Sequence, residues 1–198
     1  MIINRFFRLF LTIIVSSIIF GCASLSELAR RQDWPEVQRL IAKGADVNSK
    51  DKKYGNTALM WASYNGNVEI VQALIDKGAD INANSNPGRT ALMWASISGH
   101  KEVVQLLLAK GADVNSKDVD GNTALIHAAD EGRTEIVQAL IDKGADVNAE
   151  RIGRGALIIT SGQISGVTKG RRETALSLAI KKRHKDIVDI LRVHGAKE

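Results

Sequence analysis

The chain has 198 residues, of which 44% are hydrophobic and 25% are charged, and this composition excludes an intrinsically disordered protein. Its single cysteine, Cys22, excludes an internal disulfide framework. The formal net charge of +5 is compatible with nucleic-acid binding, so its meaning depends on where the positive residues lie.

The N-terminal segment contains Arg5 and Arg8, no acidic residue, and an apolar run from Leu9 to Phe20. Twelve residues form a helix of about 18 Å, which is too short for a hydrocarbon core of about 30 Å. A basic start followed by a short apolar run is typical of a secretory signal peptide, so we predict one over residues 1–21. Its removal lowers the formal charge from +5 to +3, because it carries two arginines.

The apolar run ends in Ile19-Phe20-Gly21-Cys22, which resembles the lipobox of bacterial lipoproteins, with Phe20 bulkier than the residue usual at its position. This resemblance implies cleavage before Cys22 and acylation of its thiol and new N-terminus. Ala23, and not an aspartate, follows the cysteine, so the resemblance further implies an outer-membrane lipoprotein that faces the periplasm. The alternatives are an uncleaved signal anchor and a secreted periplasmic protein.

Two short motifs recur after the cysteine. Lys-Gly-Ala-Asp-Val/Ile-Asn begins at Lys43, Lys77, Lys110 and Lys143, and Thr-Ala-Leu begins at Thr57, Thr90, Thr123 and Thr174. A period of about 33 residues is typical of a helical repeat solenoid. In each unit we expect the threonine to cap a first helix, and apolar pairs such as Ile70-Val71 to line a second helix. A glycine such as Gly78 should then end that helix in a left-handed conformation.

The unit resembles the ankyrin repeat, with alanine in place of the usual proline after the threonine. The resemblance implies an all-α solenoid of helix-turn-helix repeats with hairpin loops, covering residues 22–198. We expect about five repeats, approximately 24–53, 54–86, 87–119, 120–150 and 171–198, and an insertion of 18 residues within about 151–170. The recurring Asn48, Asn82, Asn115 and Asn148 are predicted to bond their own hairpin backbone, and His100 and His184 to cap second helices.

The insertion contains two stretches rich in β-branched residues, 156–160 and 164–168, which predict a hairpin; the alternative is a decayed repeat start at 155–158. Residues 149–173 contain two glutamates, Glu150 and Glu173, and five bases: Arg151, Arg154, Lys169, Arg171 and Arg172. Their excess of +3 equals the whole net charge left after residue 21, so the net positive charge is confined to residues 149–173. It would contact an acidic protein surface or anionic lipid, or it is a solvated loop whose charges prevent edge pairing.

Partners of ankyrin-type proteins usually meet the hairpin tips and the concave face of the first helices. Carried over to this sequence, the resemblance places Tyr54 and Arg89 at tips and Tyr64 at the end of a first helix. Trp61, Trp94 and His127 share one position in consecutive units, so we expect them to form a strip that binds a partner. The alternative is that these rings pack between repeats as core.

The sequence contains no phosphate-binding loop, no nucleophile elbow and no histidine pair at metal-ligand spacing, so we predict no enzymatic activity, metal or cofactor. We also predict no nucleic-acid partner and no small-molecule substrate. The predicted function is a monomeric, envelope-anchored module that binds a periplasmic or outer-membrane protein. The alternatives are an envelope structural protein whose basic insertion contacts lipid, and an immunity or inhibitor protein that neutralises a delivered toxin.

Overall fold

The computed structural model of the chain describes residues 24–152, 157–160, 163–167 and 170–197. The predicted signal peptide and Cys22 lie outside these residues, as do Arg154 and Lys169. None of the helices in the described ranges is long and apolar enough to cross a membrane.

Ten helices in the described residues form five consecutive pairs. They are α1 (Leu25–Arg30), α2 (Trp34–Ala42), α3 (Ala58–Tyr64), α4 (Val68–Asp76), α5 (Ala91–Ser98), α6 (Lys101–Ala109), α7 (Ala124–Asp130), α8 (Thr134–Asp142), α9 (Ala175–Lys182) and α10 (Lys185–Val193). Each first helix packs against the first helix of the next pair, and the second helices form a parallel row of contacts. The predicted helical repeat solenoid is confirmed.

Side-chain caps start the first helices at the recurring threonine. The Thr57 hydroxyl accepts from the N–H of Met60 at 3.3 Å, which satisfies one of the free donors of the first turn of α3. Thr90, Thr123 and Thr174 make the same bond at 3.4, 3.3 and 3.1 Å. At the other end of the pair, Gly78 follows α4 with a φ of 83°, a conformation that glycine adopts without strain. Both predictions from the repeat are confirmed.

The hydrophobic core runs continuously through the stack. In α4, Ile70, Val71 and Leu74 are at most 1% exposed, and residues at the same positions of α6 and α8 are equally buried. Because each pair buries only one face against each neighbour, the core exists only in the assembled stack.

The recurring asparagines join neighbouring units, contrary to the expectation that they bond their own hairpins. Asn48 Oδ1 accepts from the N–H of Asp80, in the next unit, at 2.8 Å. Asn82, Asn115 and Asn148 accept in the same way from Asp113, Asp146 and Lys197, at 2.9, 2.8 and 2.8 Å. The bond within each turn is made by the aspartate two residues earlier, such as Asp46, which accepts from the N–H of Asn48. We call the inter-unit bonds the asparagine ladder.

The predicted capping role of the histidines is also wrong. His100 precedes α6 without a side-chain bond to that helix; its Nε2 lies 3.0 Å from the carbonyl oxygen of Tyr64, at the end of α3. His184 approaches the carbonyl oxygen of Asp130 in the same way, at 3.3 Å. The ring of His100 fits there because Gly66 has no Cβ, which would lie 2.5 Å from His100 Nδ1.

The insertion and its flanks fold as two antiparallel strand pairs, one enclosed in sequence by the other, which together we call the β arm. Strand β1 (Glu150–Ile152) pairs antiparallel with β4 (Arg172–Thr174), and between them β2 (Leu157–Thr160) pairs antiparallel with β3 (Gln163–Val167). The predicted hairpin is confirmed. A decayed repeat start at 155–158 is wrong, because residues 157–160 are extended and paired with the opposite strand.

Candidate functional site

A groove of about 360 Å³ lies where two hairpin loops meet the first helices α3 and α5. Its lining is Tyr54, Asn56, Trp61, Tyr64, Pro87, Arg89 and Trp94. The loops supply Tyr54, Asn56, Pro87 and Arg89, and the helices supply the other three residues. We call this the aromatic groove.

Four rings form a continuous row along the groove. The Tyr54 and Trp61 centroids are 6.2 Å apart, those of Trp61 and Tyr64 are 6.2 Å apart, and those of Tyr64 and Trp94 are 5.5 Å apart. The interplanar angles of 66°, 89° and 87° are edge-to-face arrangements, which the ring quadrupoles favour. Tyr64 thus links the two tryptophans. The expected strip of Trp61, Trp94 and His127 did not include Tyr64.

The rings belong partly to the core and partly to the surface. Trp61 and Trp94 are half-buried and pack against the hydrophobic core, whereas Tyr54 and Tyr64 are 41% and 43% exposed. The tryptophans therefore fix the groove in place, and the tyrosines present most of its open surface.

A cation lies at each end of the row. Lys53 Nζ is 4.8 Å from the centroid of Tyr54, and the guanidinium carbon of Arg89 is 4.8 Å from the centroid of Trp94. Both distances are within the range of cation–π attraction. The groove is therefore aromatic in the middle and positive at its ends.

A buried aspartate that the sequence analysis missed holds the first part of the groove. Asp51 accepts from the N–H groups of Lys53 and Tyr54 at 3.0 and 2.6 Å, and from the indole nitrogen of Trp61 at 3.0 Å. The same carboxylate therefore fixes the backbone of the loop and orients the Trp61 ring. The recurrence of an aspartate shortly before the threonine, in Asp51 and Asp118, was the signal available in the sequence.

Asp118 has the matching role in a later loop, where it positions His127. Its carboxylate accepts from His127 Nε2 at 3.2 Å and from Asn122 Nδ2 at 2.9 Å, and Arg89 Nε lies 3.8 Å away. Burial would raise the pKa of Asp118, but the hydrogen bonds from His127 and Asn122 outweigh it and lower the pKa to about 2. His127 is therefore a partner of Asp118 and lies outside the row of rings.

A second cavity, of about 570 Å³, continues from the aromatic groove toward the β arm. Arg89 lines both cavities. Beyond Arg89 the lining is charged with both signs, and includes Asp130, Arg151, Arg171 and Glu173. The continuous surface thus changes from aromatic to charged at Arg89.

The bases at the root of the arm are largely paired with acids. Arg151 contacts Glu173 at 2.7 Å, and Arg172 contacts Glu150 at 2.8 Å, across the β1–β4 pair. Lys181 also contacts Glu173, at 3.2 Å. Burial raises the pKa of Glu173, but the hydrogen bonds from Arg151 and Lys181 lower it by more, so the net shift of the pKa is downward. Arg171 is exposed at the cavity. Arg154 and Lys169 lie outside the described residues, so a basic contact surface on the insertion remains a prediction.

In the part of the chain that the structure describes, no three histidine, cysteine, aspartate or glutamate side chains are placed to share a metal ion. What the groove offers is aromatic surface, cations and hydrogen-bonding groups, which suit non-covalent binding.

The sequence matches the family described as "Ankyrin repeats (3 copies)" over three overlapping stretches, residues 25–118, 82–151 and 117–198. It is similar to ankyrin repeat and SAM domain-containing protein 6 of Rattus norvegicus, with 43% identity over 68 residues, which are 34% of this chain and 8% of the relative. It is also similar to a mitochondrial disaggregase of Homo sapiens, with 50% identity over 60 residues, which are 30% of this chain and 8% of that protein. A putative ankyrin repeat protein of fowlpox virus is 39% identical over 62 residues, which are 31% of this chain and 12% of the viral protein. The chain therefore spans only 8% to 12% of the length of these relatives.

Proposed function

Since the chain belongs to the ankyrin repeat family, whose repeats are generally protein–protein interaction modules, we propose that it is a non-enzymatic module that binds a protein partner in the bacterial cell envelope. The partner would be a periplasmic or outer-membrane protein, and the aromatic groove would be its main contact.

The observation that carries this proposal is the exposed part of the aromatic groove. Tyr54 and Tyr64 are 41% and 43% exposed, although each makes an edge-to-face contact with a tryptophan that holds it in place. Rigid aromatic side chains lose little conformational entropy on binding and are favoured at interfaces. A fixed, half-open row of rings is thus suited to a protein contact.

The test is capture of envelope proteins by the purified chain, followed by mass spectrometry. The double variant Tyr54→Ala/Tyr64→Ala removes the exposed rings. Val193→Ala is the control, because Val193 is 83% exposed and lies at the end of α10, outside the groove and the hairpin tips. We expect wild type and Val193→Ala to capture the same protein and the tyrosine variant to capture at least tenfold less. Equal capture by all three, with folding verified by circular dichroism, would exclude the groove as the contact.

The proposed anchor is a lipid on Cys22. Helix α1 begins at Leu25 and is capped by Ser24, so only a very short segment separates the solenoid from the cysteine. Three extended residues reach about 10 Å, so an acylated Cys22 would hold the first unit close to the membrane surface. We expect Cys22→Ser to move the protein from the membrane fraction to the soluble periplasmic fraction; retention in the membrane would favour an uncleaved signal anchor.

The lipid-contacting function of the β arm is the second candidate. It is favoured by the apolar sequence of β2 and β3, whose register opposes Leu157 to Val167 and Ile159 to Ile164, between the flanking basic residues. Binding of the Cys22→Ser protein to anionic vesicles but not to neutral ones would support it. Absence of binding to both kinds of vesicle would contradict a lipid-contacting role of the β arm.

A further inference from the structure

We propose that the aromatic groove binds an extended, proline-containing segment of its partner that carries an acidic residue at each end. This inference rests on the proposed protein-binding function and names the chemistry of the bound segment.

The geometry of the rings favours an extended segment. Successive rings meet edge to face, so each neighbouring pair forms a notch, and the ring centroids follow one another at 6.2, 6.2 and 5.5 Å. A polyproline II segment rises about 3.1 Å per residue, so a segment of up to about six residues would follow the row. Aromatic-lined grooves recognise such segments well, because the preformed conformation lowers the entropy lost on binding.

The charges at the ends of the row select the flanking residues of the segment. Lys53 stands over Tyr54 and Arg89 over Trp94, so a segment that covers all four rings meets a cation at both ends. The nearby carboxylates do not reverse this sign preference, because Asp51 is buried and accepts bonds from its own loop and from Trp61. Asp118 is likewise buried and bonded to Asn122 and His127.

Arg89 retains the capacity to bind a further carboxylate. Its Nε is buried and faces the Asp118 carboxylate at 3.8 Å, so a further carboxylate would have to approach the exposed part of the guanidinium. Its side chain is 31% exposed. A guanidinium has five N–H donors, so an acidic residue of the partner can approach Arg89 while Trp94 holds the guanidinium in place.

The experiment is a titration of the purified full-length chain with labelled synthetic peptides, read by fluorescence anisotropy. The probe is acetyl-Asp-Pro-Pro-Leu-Pro-Pro-Asp-amide. One comparison peptide has lysine in place of both aspartates, and another has glycine in place of all four prolines. We expect the probe to bind at least tenfold more tightly than the lysine peptide and at least fivefold more tightly than the glycine peptide. Equal or tighter binding of the lysine peptide, or no binding of the probe at millimolar concentration, would overturn the proposal.

Variants assign the preference to the groove. We expect the double variant Lys53→Met/Arg89→Met to abolish most of the discrimination between the acidic and lysine peptides. Arg89→Met alone should lose part of it, and Val193→Ala should leave it unchanged. If the double variant keeps the full discrimination, the acidic preference does not come from this groove. If the probe fails to bind while Tyr54 and Tyr64 remain necessary for capture of an envelope protein, the inference is wrong and the proposed function stands. If the probe fails to bind and Tyr54 and Tyr64 are also unnecessary for capture, the proposed function is wrong as well.

Discussion

The indole nitrogen of Trp61 donates to the carboxylate of Asp51 at 3.0 Å, and this bond is missing one unit later. There Trp94 occupies the position of Trp61, but Ser85 stands where the loop has Asp51. The Ser85 hydroxyl accepts instead from the N–H of Arg89, and Trp94 Nε1 is buried without an acceptor among the described residues. The Trp94 end of the aromatic groove thus contains a polar group without a hydrogen-bond partner among the described residues.

Ser85→Asp should supply the missing acceptor. The Ser85 loop closes with the same backbone bonds as the Asp118 loop, whereas the Asp51 loop is one residue longer. An aspartate at 85 should therefore adopt the conformation of Asp118, whose carboxylate reaches the ring nine residues later in the chain. We expect the free energy of unfolding to rise by about 1 kcal/mol, the typical net value of one hydrogen bond, as measured by urea denaturation. The same substitution in a Trp94→Phe background should give a much smaller gain, since the indole donor is absent. An undiminished gain there would show that the indole is not involved.

The lowered pKa of Asp118 predicts a loss of stability in acid. An aspartate whose pKa is lower in the folded chain stabilises it fully above the unfolded pKa of about 4, and this contribution is lost as pH falls to about 2. We expect Asp118→Asn to be less stable than wild type at pH 6 by roughly 2 kcal/mol, and the difference to shrink between pH 4 and pH 2. Thermal melts at several pH values measure it. Asp120→Asn, at an exposed site in the same loop, should follow the wild-type pH profile. A constant Asp118→Asn difference down to pH 2 would contradict a lowered pKa of Asp118 as its cause.

The asparagine ladder predicts a cost for removing a single rung. Asn115 accepts from the N–H of Asp146 at 2.8 Å and donates to the carbonyl oxygen of Gly144 at 3.2 Å. Asn115→Ala should lower the free energy of unfolding by about 1–2 kcal/mol, because it breaks two bonds between neighbouring units. Asn84→Ala, at an exposed position outside the ladder, should change it by less than about 0.5 kcal/mol. Equal effects of the two substitutions in urea denaturation would show that the ladder contributes nothing to stability.

Two glycines with similar backbones should respond differently to alanine. Gly66 and Gly78 have φ values of 73° and 83°, so alanine is strained at both sites. A Cβ at Gly78 would meet nothing within 4 Å, whereas one at Gly66 would lie 2.5 Å from His100 Nδ1. We expect Gly66→Ala to lower the melting temperature more than Gly78→Ala. The excess should disappear when His100→Ala is present in both proteins; an excess that persists would place its origin in the backbone.

Features that depend on residues close in sequence were predictable. The threonine caps join residues three positions apart, and the buried residues Ile70, Val71 and Leu74 follow the helical period, so both could be derived from spacing alone. The β2–β3 hairpin likewise follows from two β-branched stretches with a short connection.

Contacts between units could not be predicted in the same way. Tyr64 joins Trp61 to Trp94 because the two first helices pack side by side, and sequence spacing does not give the orientation of that packing. The asparagines have side chains that can bond either their own turn or the next unit with equal chemistry, and only the distance between units decides between the two. The cross-strand pairing of Arg151 with Glu173 depends on the register of β1 and β4, which sequence spacing does not give. This pairing makes the β1–β4 strand pair charge-balanced, where the sequence predicted a basic segment.

The last bonds of the asparagine ladder join the two helix pairs that flank the β arm in sequence. Asn148 accepts from the N–H of Lys197 and donates to the carbonyl oxygen of Gly195, so the fourth and fifth helix pairs are joined as closely as pairs without an intervening segment. The arm also leaves and re-enters the stack at one place, where Glu150 is opposite Thr174. Because its two ends are already held together, a change in the length of the outer arm adds little closure entropy. The outer arm is therefore free to diverge in sequence, or to be exchanged for a foreign loop by an engineer, without altering the scaffold that carries it.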